Sequence, residues 1–223
     1  MDFILMLTRD DQTVEDCLEL VDEIAALGLR HIGFKDVGVD FDRLRALDAA
    51  IKAAGAVSYM EVVSTSREAE LRSIAVAREI GVDRVLGGTA VGEALAMLGG
   101  STAYYPFPGR PEGHPTRLGG SPSEVVAQTA RFAALGCAGC DLLAYRATEA
   151  DPIELVRAAR RGLGDGLLIV AGSVTGRDRI RALAEAGADA FTIGTAVFNG
   201  GYSPRKGSIR SQLKDILADC AAV

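Results

Sequence analysis

The chain is poor in the residue types that form metal sites and disulfide frameworks. Its 223 residues include two histidines, four cysteines and no tryptophan, and aromatic residues make up only 5%. Cys137 and Cys140 form a CxxC pair that enters a strand, but a zinc site needs about four ligands, and the sequence has no second CxxC or histidine pair. We interpret the cysteines as packing residues in a reducing, cytoplasmic compartment, and we predict no metal and no cofactor.

Long basic and long apolar runs are missing as well. The net charge is −6, and the basic residues are scattered, with no run longer than Arg160-Arg161. A nucleic-acid partner held through its phosphates would require a basic surface. No apolar stretch has membrane-spanning length, and the first residues resemble a strand more than a signal peptide. We therefore predict neither nucleic-acid binding nor membrane association.

Glycine and a regular alternation of two hydrophobic periods are what the chain has in abundance. It contains 26 glycines, and 48% of its residues are hydrophobic. Short β-rich segments alternate with helical patterns from end to end, and glycine ends most of these helices. The alternation predicts an α/β protein, a single (β/α)₈ TIM barrel domain over residues 1–223. The predicted strands cover residues 3–7, 31–35, 56–62, 84–86, 103–106, 141–145, 167–170 and 190–193. The predicted helices cover residues 13–27, with Thr13 as N-cap, 40–53, 66–80, 91–98, 122–135, 152–161, 175–185 and 208–217.

One connection departs from the rhythm of the barrel. Residues 108–121 join the fifth strand to the fifth helix and exceed the usual length of such a loop about threefold. By topology the segment lies at the C-terminal face of the barrel, and it carries Arg110, His114 and Arg117. A long loop at this face is typical of a lid or specificity element. The alternative is a disordered surface excursion.

Glycine turns follow the last two predicted strands. Gly172-Ser173 ends the seventh strand, and Gly194-Thr195 ends the eighth. Glycine lets the backbone approach a ligand closely, and each turn offers backbone N–H groups and a hydroxyl. In a (β/α)₈ barrel this is the expected place of a phosphate site. We predict an anion among the N–H groups of Ser173, Gly194 and Thr195; the alternative is a pair of ordinary strand-to-helix turns.

A lysine and a glutamate stand at the ends of neighbouring strands. Lys35 is the only one of four lysines at a strand end, and Glu61 lies near the end of the next strand. Strand alternation turns both side chains into the barrel. Such a pair suits general acid–base chemistry, with Lys35 as proton shuttle, Schiff-base former or electrostatic clamp. The alternatives are a structural buried ion pair, a Lys35 whose side chain extends to the loop surface, or a Lys35 that pairs with Asp36.

Two arginines extend the candidate site. Arg9 follows the first strand and Arg146 follows the sixth, and either would suit a second anionic group of a ligand. Placement on the surface is the alternative for each arginine.

The paired turns resemble those of the ribulose-phosphate-binding barrel superfamily. That group includes histidine- and tryptophan-pathway isomerases, pentulose-phosphate epimerases, and the orotidine-phosphate decarboxylase suprafamily. The segment ILMLTRDDQTVEDCLELV is similar to the first strand–helix unit of the sugar-phosphate decarboxylases and synthases, in which an acidic residue ends the strand. The resemblance implies that Asp10 or Asp11 fills that position.

Two departures separate the chain from these relatives. The decarboxylase suprafamily carries Asp-x-Lys-x-x-Asp at the third strand, where this chain has Glu61 but neither the lysine nor the second aspartate. Pentulose epimerases bind a metal through two histidines and two acids, and neither His31 nor His114 stands at a matching strand end. Neither specific activity therefore transfers.

These observations predict an enzyme that acts on a small phosphorylated sugar or keto-acid. The expected reaction is proton transfer next to a carbonyl, as in an isomerase or epimerase, or C–C cleavage, as in an aldolase or decarboxylase-like lyase. Lys35 and Glu61 are the predicted catalytic residues. A barrel that binds a phosphorylated ligand, or assembles, without catalysis is the alternative, and a homo-oligomer remains open.

Overall fold

The computed structural model describes residues 1–64, 66–113 and 115–223. Eight parallel strands form one sheet, in which the first strand of the chain lies between the eighth and the second, and the fifth and sixth strands are the two outer ones. Hydrogen bonds of 3.1 Å from the Ala138 N–H to the Tyr104 carbonyl and from the Asp141 N–H to the Pro106 carbonyl join the outer two, so the sheet curls into a nearly closed barrel. The predicted fold class is confirmed. The strands are β1 (Asp2–Met6), β2 (His31–Lys35), β3 (Val57–Val62), β4 (Arg84–Gly87), β5 (Ala103–Tyr105), β6 (Gly139–Leu142), β7 (Leu167–Val170) and β8 (Ala190–Ile193).

Helices surround the barrel and cover its outer face. They are α1 (Cys17–Ile24), α2 (Phe41–Ala53), α3 (Arg67–Ile80), α4 (Val91–Leu98), α5 (Pro122–Leu135), α6 (Pro152–Leu163), α7 (Arg177–Ala186), α8 (Thr195–Phe198) and α9 (Ile209–Cys220). Within the described residues, no helix is both long and apolar enough to span a membrane. The larger hydrophobic core lies between helices and strands, and a smaller core fills the barrel interior, formed by Ile4, Met6, Tyr59, Leu86, Tyr105, Ile169 and Ala190.

Strand β2 shows how the alternation of its residues positions the site. Ile32 and Phe34 pack into the outer core, whereas Gly33 faces inward. A Cβ atom on Gly33 would lie 3.2 Å from the Cβ atom of Tyr59, so glycine leaves room for the side chains that fill the interior. Lys35 is two residues further along the same face and therefore points into the barrel at its C-terminal end.

The first helix begins later than the sequence predicts. Residues 8–13 form a small antiparallel hairpin, with Asp10 and Asp11 in its turn at φ of 51° and 62°. Thr13 is not a helix cap; its hydroxyl bonds the backbone N–H and carbonyl of Lys35, each at 2.8 Å. These bonds to the end of β2 outweigh capping, so α1 starts only at Cys17, and residues 25–27 form a separate 3₁₀ turn.

The sixth strand also differs from its prediction. β6 ends at Leu142, and the chain continues into a 3₁₀ turn over Ala144–Arg146 rather than extending to residue 145. Because of this turn, Arg146 lies at the barrel mouth.

The long connection forms a packed hairpin in its described part. Arg110–Glu112 pairs with Arg117–Gly119, and Leu118 is buried. Arg110 bridges Glu124 at 2.5 Å and Glu149 at 2.8 Å, which ties the hairpin to α5 and to the segment before α6. These contacts do not fit a disordered excursion. His114, which the sequence analysis placed in this loop, lies outside the described residues.

Candidate active site

A cavity of about 390 Å³ opens at the C-terminal mouth of the barrel. Its walls come from both halves of the sheet. The residues that the sequence singled out and that line it are Lys35, Glu61, Arg146, Gly172, Ser173, Gly194 and Thr195. The structure therefore brings the lysine–glutamate pair and the two glycine turns to the same space.

Lys35 is the centre of a charged cluster at the inner end of this cavity. Its side chain is 5% exposed, and its Nζ atom lies 2.6 Å from Asp11 Oδ1 and 3.5 Å from Glu61 Oε2. Lys35 and Glu61 are direct partners in the register of β2 and β3. We call Asp11, Lys35 and Glu61 the lysine cluster.

Of the two aspartates that the resemblance suggested, Asp11 reaches the cavity. Its carboxylate contacts Lys35, whereas Asp10 is exposed and its backbone N–H donates to Thr195 Oγ1 at 3.3 Å. Asp36 does not pair with Lys35; its carboxylate accepts a hydrogen bond from the Ser73 hydroxyl instead. The hairpin turn at positive φ directs Asp11 inward, and the sequence pattern did not reveal this geometry.

Arg146 connects the lysine cluster to the first glycine turn. Its guanidinium lies 3.6 Å from Asp11 Oδ1, and its Nη1 donates to the Thr116 carbonyl at 3.4 Å. A Cβ atom on Gly172 would lie 2.7–3.0 Å from the Arg146 side chain, so the two residues are packed together. Arg146 therefore contacts both Gly172, in the turn after β7, and Asp11, in the lysine cluster.

The turn after β7 has an unusual backbone. Gly172 has φ of 80°, and Ser173 has φ of 57°, one of three non-glycine residues with positive φ in the described chain. Arg179 holds this conformation, because its guanidinium bonds the Ser173 carbonyl and lies 4.3 Å from the centre of the Tyr145 ring. A non-glycine residue held in this region costs free energy and is typical of a functional site.

The turn after β8 requires glycine for a different reason. A Cβ atom on Gly194 would lie 2.5 Å from Thr8 Oγ1 and 2.9 Å from the Thr8 carbonyl oxygen. Glycine thus lets the end of β8 approach the end of β1. The two turns, which we call the glycine cup (Gly172, Ser173, Gly194 and Thr195), line the same cavity as the lysine cluster.

Asp141 is a fully buried aspartate on β6 that the sequence pattern did not indicate as a site residue. It is the register partner of Ile169, which belongs to the barrel interior, so Asp141 also faces inward. Neither carboxyl oxygen has a hydrogen-bond partner among the described residues. Burial, and then the negative charge of Glu61, raise the pKa of Asp141 well above its usual range, against the opposing charges of Lys35 and Arg146. An aspartate within an apolar strand was the available signal.

Arg9 lies apart from the cavity. It is exposed, its guanidinium stacks 5.6 Å from the centre of the Phe198 ring, and it donates to the Phe198 carbonyl at 3.4 Å. It is not among the residues of the cavity wall, so we leave it out of the proposed site.

Cysteines and metal-binding groups add no second centre to the described part of the chain. All four cysteines are free thiols, and burial raises the pKa of Cys137 to about 11. Across residues 1–64, 66–113 and 115–223, no group of three or more histidine, cysteine or acidic side chains is placed to hold a metal ion.

Comparisons with known proteins identify similar folds. No family model and no curated protein sequence matches the chain. The structure is similar to orotidine 5'-phosphate decarboxylase from Pyrococcus horikoshii OT3, with a TM-score of 0.71, 14% identity, and coverage of 99% of this chain and 100% of that chain. It is also similar to (S)-3-O-geranylgeranylglyceryl phosphate synthase from Thermoplasma acidophilum, in complex with its substrate sn-glycerol-1-phosphate (TM-score 0.63, 17% identity, coverage of 100% and 94%). A third similar structure is a mutant tryptophan synthase α-subunit from Pyrococcus furiosus (TM-score 0.65, 14% identity, coverage of 97% and 98%).

At these identities the comparisons establish the fold. They agree with the (β/α)₈ barrel that the sequence predicts. The ligands and reactions of those proteins are not assigned to this chain by a similarity of fold.

Proposed function

We propose that this protein is an enzyme that binds a small phosphorylated sugar or keto-acid and transfers a proton next to its carbonyl group. One observation carries the proposal: the glycine cup and the lysine cluster line the same cavity. A ligand with a phosphate at one end and a carbonyl at the other would reach both. The similar structures include enzymes named for phosphorylated ligands, which supports an enzyme but does not select its subclass.

The glycine cup is the proposed phosphate site. Ser173, Gly194 and Thr195 line the wall of the cavity, and Gly194 has no side chain there. Backbone N–H groups and a threonine hydroxyl are typical donors to phosphate oxygens. Arg146, at the same wall, would add a charged donor.

Glu61 is the proposed base and Lys35 the proposed electrostatic partner. Lys35 is nearer to Asp11 than to Glu61, at 2.6 Å against 3.5 Å, so Asp11 holds the ammonium and Glu61 is the freer carboxylate. Glu61 would take the proton from the carbon next to the carbonyl. The electron pair of that C–H bond would move to the carbonyl oxygen, where the Lys35 ammonium would stabilise the negative charge.

The same enolate leads to either reaction class. Return of the proton to the neighbouring carbon gives an isomer, and its return to the opposite face of the original carbon gives an epimer. Cleavage of a C–C bond, with its electron pair left in the enolate, gives a lyase. The Lys35 Nζ atom lies 2.6 Å from Asp11 Oδ1 and 3.5 Å from Glu61 Oε2, an ion-pair geometry that suits an electrostatic partner better than a nucleophile. We therefore favour the enolate route.

The shape of the mouth bears on the non-catalytic alternative. A barrel that only binds or assembles could carry an apolar plug over its strand ends. Here the apolar side chains of the interior, such as Met6 and Tyr59, leave an open cavity with charged groups in its wall. This arrangement supports the enzyme. A cytoplasmic location, the lid role of residues 108–121 and a homo-oligomeric state remain proposals.

Solvent-isotope exchange tests this function. The protein is incubated with a panel of sugar phosphates and phosphorylated keto-acids in D₂O, and NMR follows deuterium at the carbon next to each carbonyl. We expect exchange with at least one compound, loss of exchange in Lys35→Met, and retention in Lys52→Met, a control on α2 outside the cavity. Phosphate binding without exchange for any compound would favour the binding protein. Trapping of a covalent adduct with borohydride would replace the enolate route by a Schiff base.

A further inference from the structure

Asp141 is a buried acid that the proposed reaction has not yet used. The side chain is fully buried, faces the barrel interior, and has two carboxyl oxygens without a partner among the described residues. Buried polar groups are ordinarily hydrogen-bonded, and an ionised carboxylate without a partner is the most costly exception. The position therefore disfavours the charged form of Asp141.

The neighbouring charges point the same way. After burial, the negative charge of Glu61 on β3 contributes most to raising the pKa of Asp141. Two nearby carboxylates repel each other, so the ionisation of both is disfavoured. Lys35 from β2 and Arg146 from the turn after β6 act in the opposite direction. Both cations also contact Asp11, at 2.6 Å and 3.6 Å, so their charge is divided among several carboxylates.

Burial outweighs the two cations, and the pKa of Asp141 lies well above its usual range. If both carboxyl groups were ionised, the carboxylates of Asp11, Glu61 and Asp141 would outnumber the two cations, Lys35 and Arg146. With one proton on Asp141, Asp11 and Glu61 balance Lys35 and Arg146.

We propose that Glu61 and Asp141 form a carboxyl pair that carries one proton in the resting enzyme, with the proton on Asp141. Asp141 is then a positioning residue: its neutral form adds no second negative charge near the Glu61 carboxylate, which is the proposed base. The precedent in enzyme chemistry is a pair of acids whose surroundings separate their protonation states. The inference rests on the proposed function only for the role of Glu61; the protonation of Asp141 is independent of it.

The first experiment measures protonation without any substrate. Infrared difference spectra of the wild type against Asp141→Asn show whether the side chain contributes the carbonyl stretch of a neutral carboxylic acid at neutral pH. We expect that band in the wild type, and we expect Glu61→Gln to shift its titration to lower pH because a like charge is removed. The proposal would be overturned if Asp141 were ionised at neutral pH, or if the pH dependence of its carbonyl band were the same in Glu61→Gln as in the wild type.

Thermal unfolding gives a second, independent readout. A carboxyl group whose pKa is raised on folding stabilises the fold at low pH and loses that contribution as pH rises through the folded-state pKa. Asn resembles the neutral acid and does not ionise. We therefore expect the melting temperature of Asp141→Asn, relative to that of the wild type, to rise as the pH increases from about 4, the ordinary pKa of aspartate, and to level off above the raised folded-state pKa. The control is Asp48→Asn, which removes a buried carboxylate paired with Lys52 at 2.9 Å and should lower the melting temperature. A difference in melting temperature between Asp141→Asn and the wild type that stays the same at every pH would contradict the proposal.

The link to catalysis has its own test, once an exchanging substrate is found. If neutral Asp141 supports the active form, wild-type exchange falls at alkaline pH as Asp141 ionises. In Asp141→Asn the alkaline limb should move to higher pH, because the amide stays neutral. An unchanged limb would remove the connection to Glu61 and leave the proposed enzyme intact, whereas a failure of all exchange would concern the proposed function itself.

Discussion

The two ends of the barrel solve the problem of buried polar groups in opposite ways. At the N-terminal end, the Tyr59 hydroxyl lies 3.0 Å from His31 Nδ1 and accepts a hydrogen bond from Arg84 at 2.8 Å. The Arg84 guanidinium also stacks on the Tyr59 ring, 5.3 Å from its centre. At the C-terminal end, Asp141 has no partner in the described chain, and Ser173 has left-handed backbone.

This difference separates stability from function. At the N-terminal end, Tyr59, His31 and Arg84 pair and stack with one another, and these contacts stabilise the fold. The mouth keeps an unpartnered acid, a constrained turn and a cluster of charges beside an open cavity, which are costs that a protein retains where it binds or reacts. In barrels of this kind the C-terminal face carries the active site, and the opposite face serves stability.

The largest effect should come from Lys35→Met at the mouth. Removal of the ammonium leaves the Asp11 and Glu61 carboxylates without their shared cation and abolishes stabilisation of the enolate. We expect a loss of activity of about 10²- to 10⁴-fold with the barrel still folded. Activity and melting temperature are measured for Lys35→Met, Glu61→Gln and the double variant. If the pair is structural instead, each single variant loses about 3–5 kcal/mol of unfolding free energy and the double variant recovers part of it.

Gly194→Ala should damage both fold and ligand binding. The added Cβ atom would collide with the Thr8 carbonyl at 2.9 Å, and overpacking of this kind costs up to about 3 kcal/mol. Urea unfolding and a phosphate titration measure the two losses. Gly176→Ala is the matched control, because a Cβ atom there meets nothing within 4 Å. Equal behaviour of the two variants would argue against close approach at the cup.

At the base, Tyr59→Phe should lower stability without affecting activity. The change leaves His31 Nδ1 and Arg84 without a partner, and we expect a cost of about 1–2 kcal/mol. Tyr104→Phe is the control, since the Tyr104 hydroxyl is buried without a partner in the described chain and its removal should be neutral or stabilising. A loss of activity in Tyr59→Phe that exceeds its loss of folded protein would break the division between the two ends.

The smallest effect is the pH response of His31. Burial lowers the pKa of His31, so the neutral imidazole is favoured in the folded protein. A base whose pKa is lowered on folding stabilises the fold above its unfolded value, about 6.5, and the contribution is lost as pH falls. Between about pH 7 and about pH 5, the wild type should lose more free energy of unfolding than His31→Gln. We expect the difference between the two losses to be less than about 1 kcal/mol. An identical pH dependence in both proteins would show that His31 does not titrate in this window.

Sequence patterns located most residues of the candidate site, because strand alternation and glycine turns are local properties. The spacing in HIGFK placed Lys35 inside the barrel, and the glycines after β7 and β8 marked the turns that line the cavity. Asp11 could not be separated from Asp10, because the choice depends on the backbone of a two-residue turn. Asp141 was missed because the sixth strand was predicted two residues too late, so the side chain appeared to begin the strand rather than face its interior.

Tertiary contacts decided the remaining differences. Thr13 looked like a helix cap, but its hydroxyl bonds β2 instead. Residues 108–121 looked like an open loop, but Leu118 is buried and Arg110 reaches two glutamates distant in sequence. Local propensity cannot reveal such partners, since each lies on another element.

One titration tests most directly whether the cup and the lysine cluster form a single site. Backbone and lysine NMR signals are followed during additions of inorganic phosphate and, separately, of a sugar phosphate that the protein binds. We predict that phosphate perturbs the amides of Ser173, Gly194 and Thr195, and that the sugar phosphate perturbs these amides together with the Lys35 ammonium. Perturbation by the sugar phosphate at Lys35 without the cup, or at the cup without Lys35, would contradict the account.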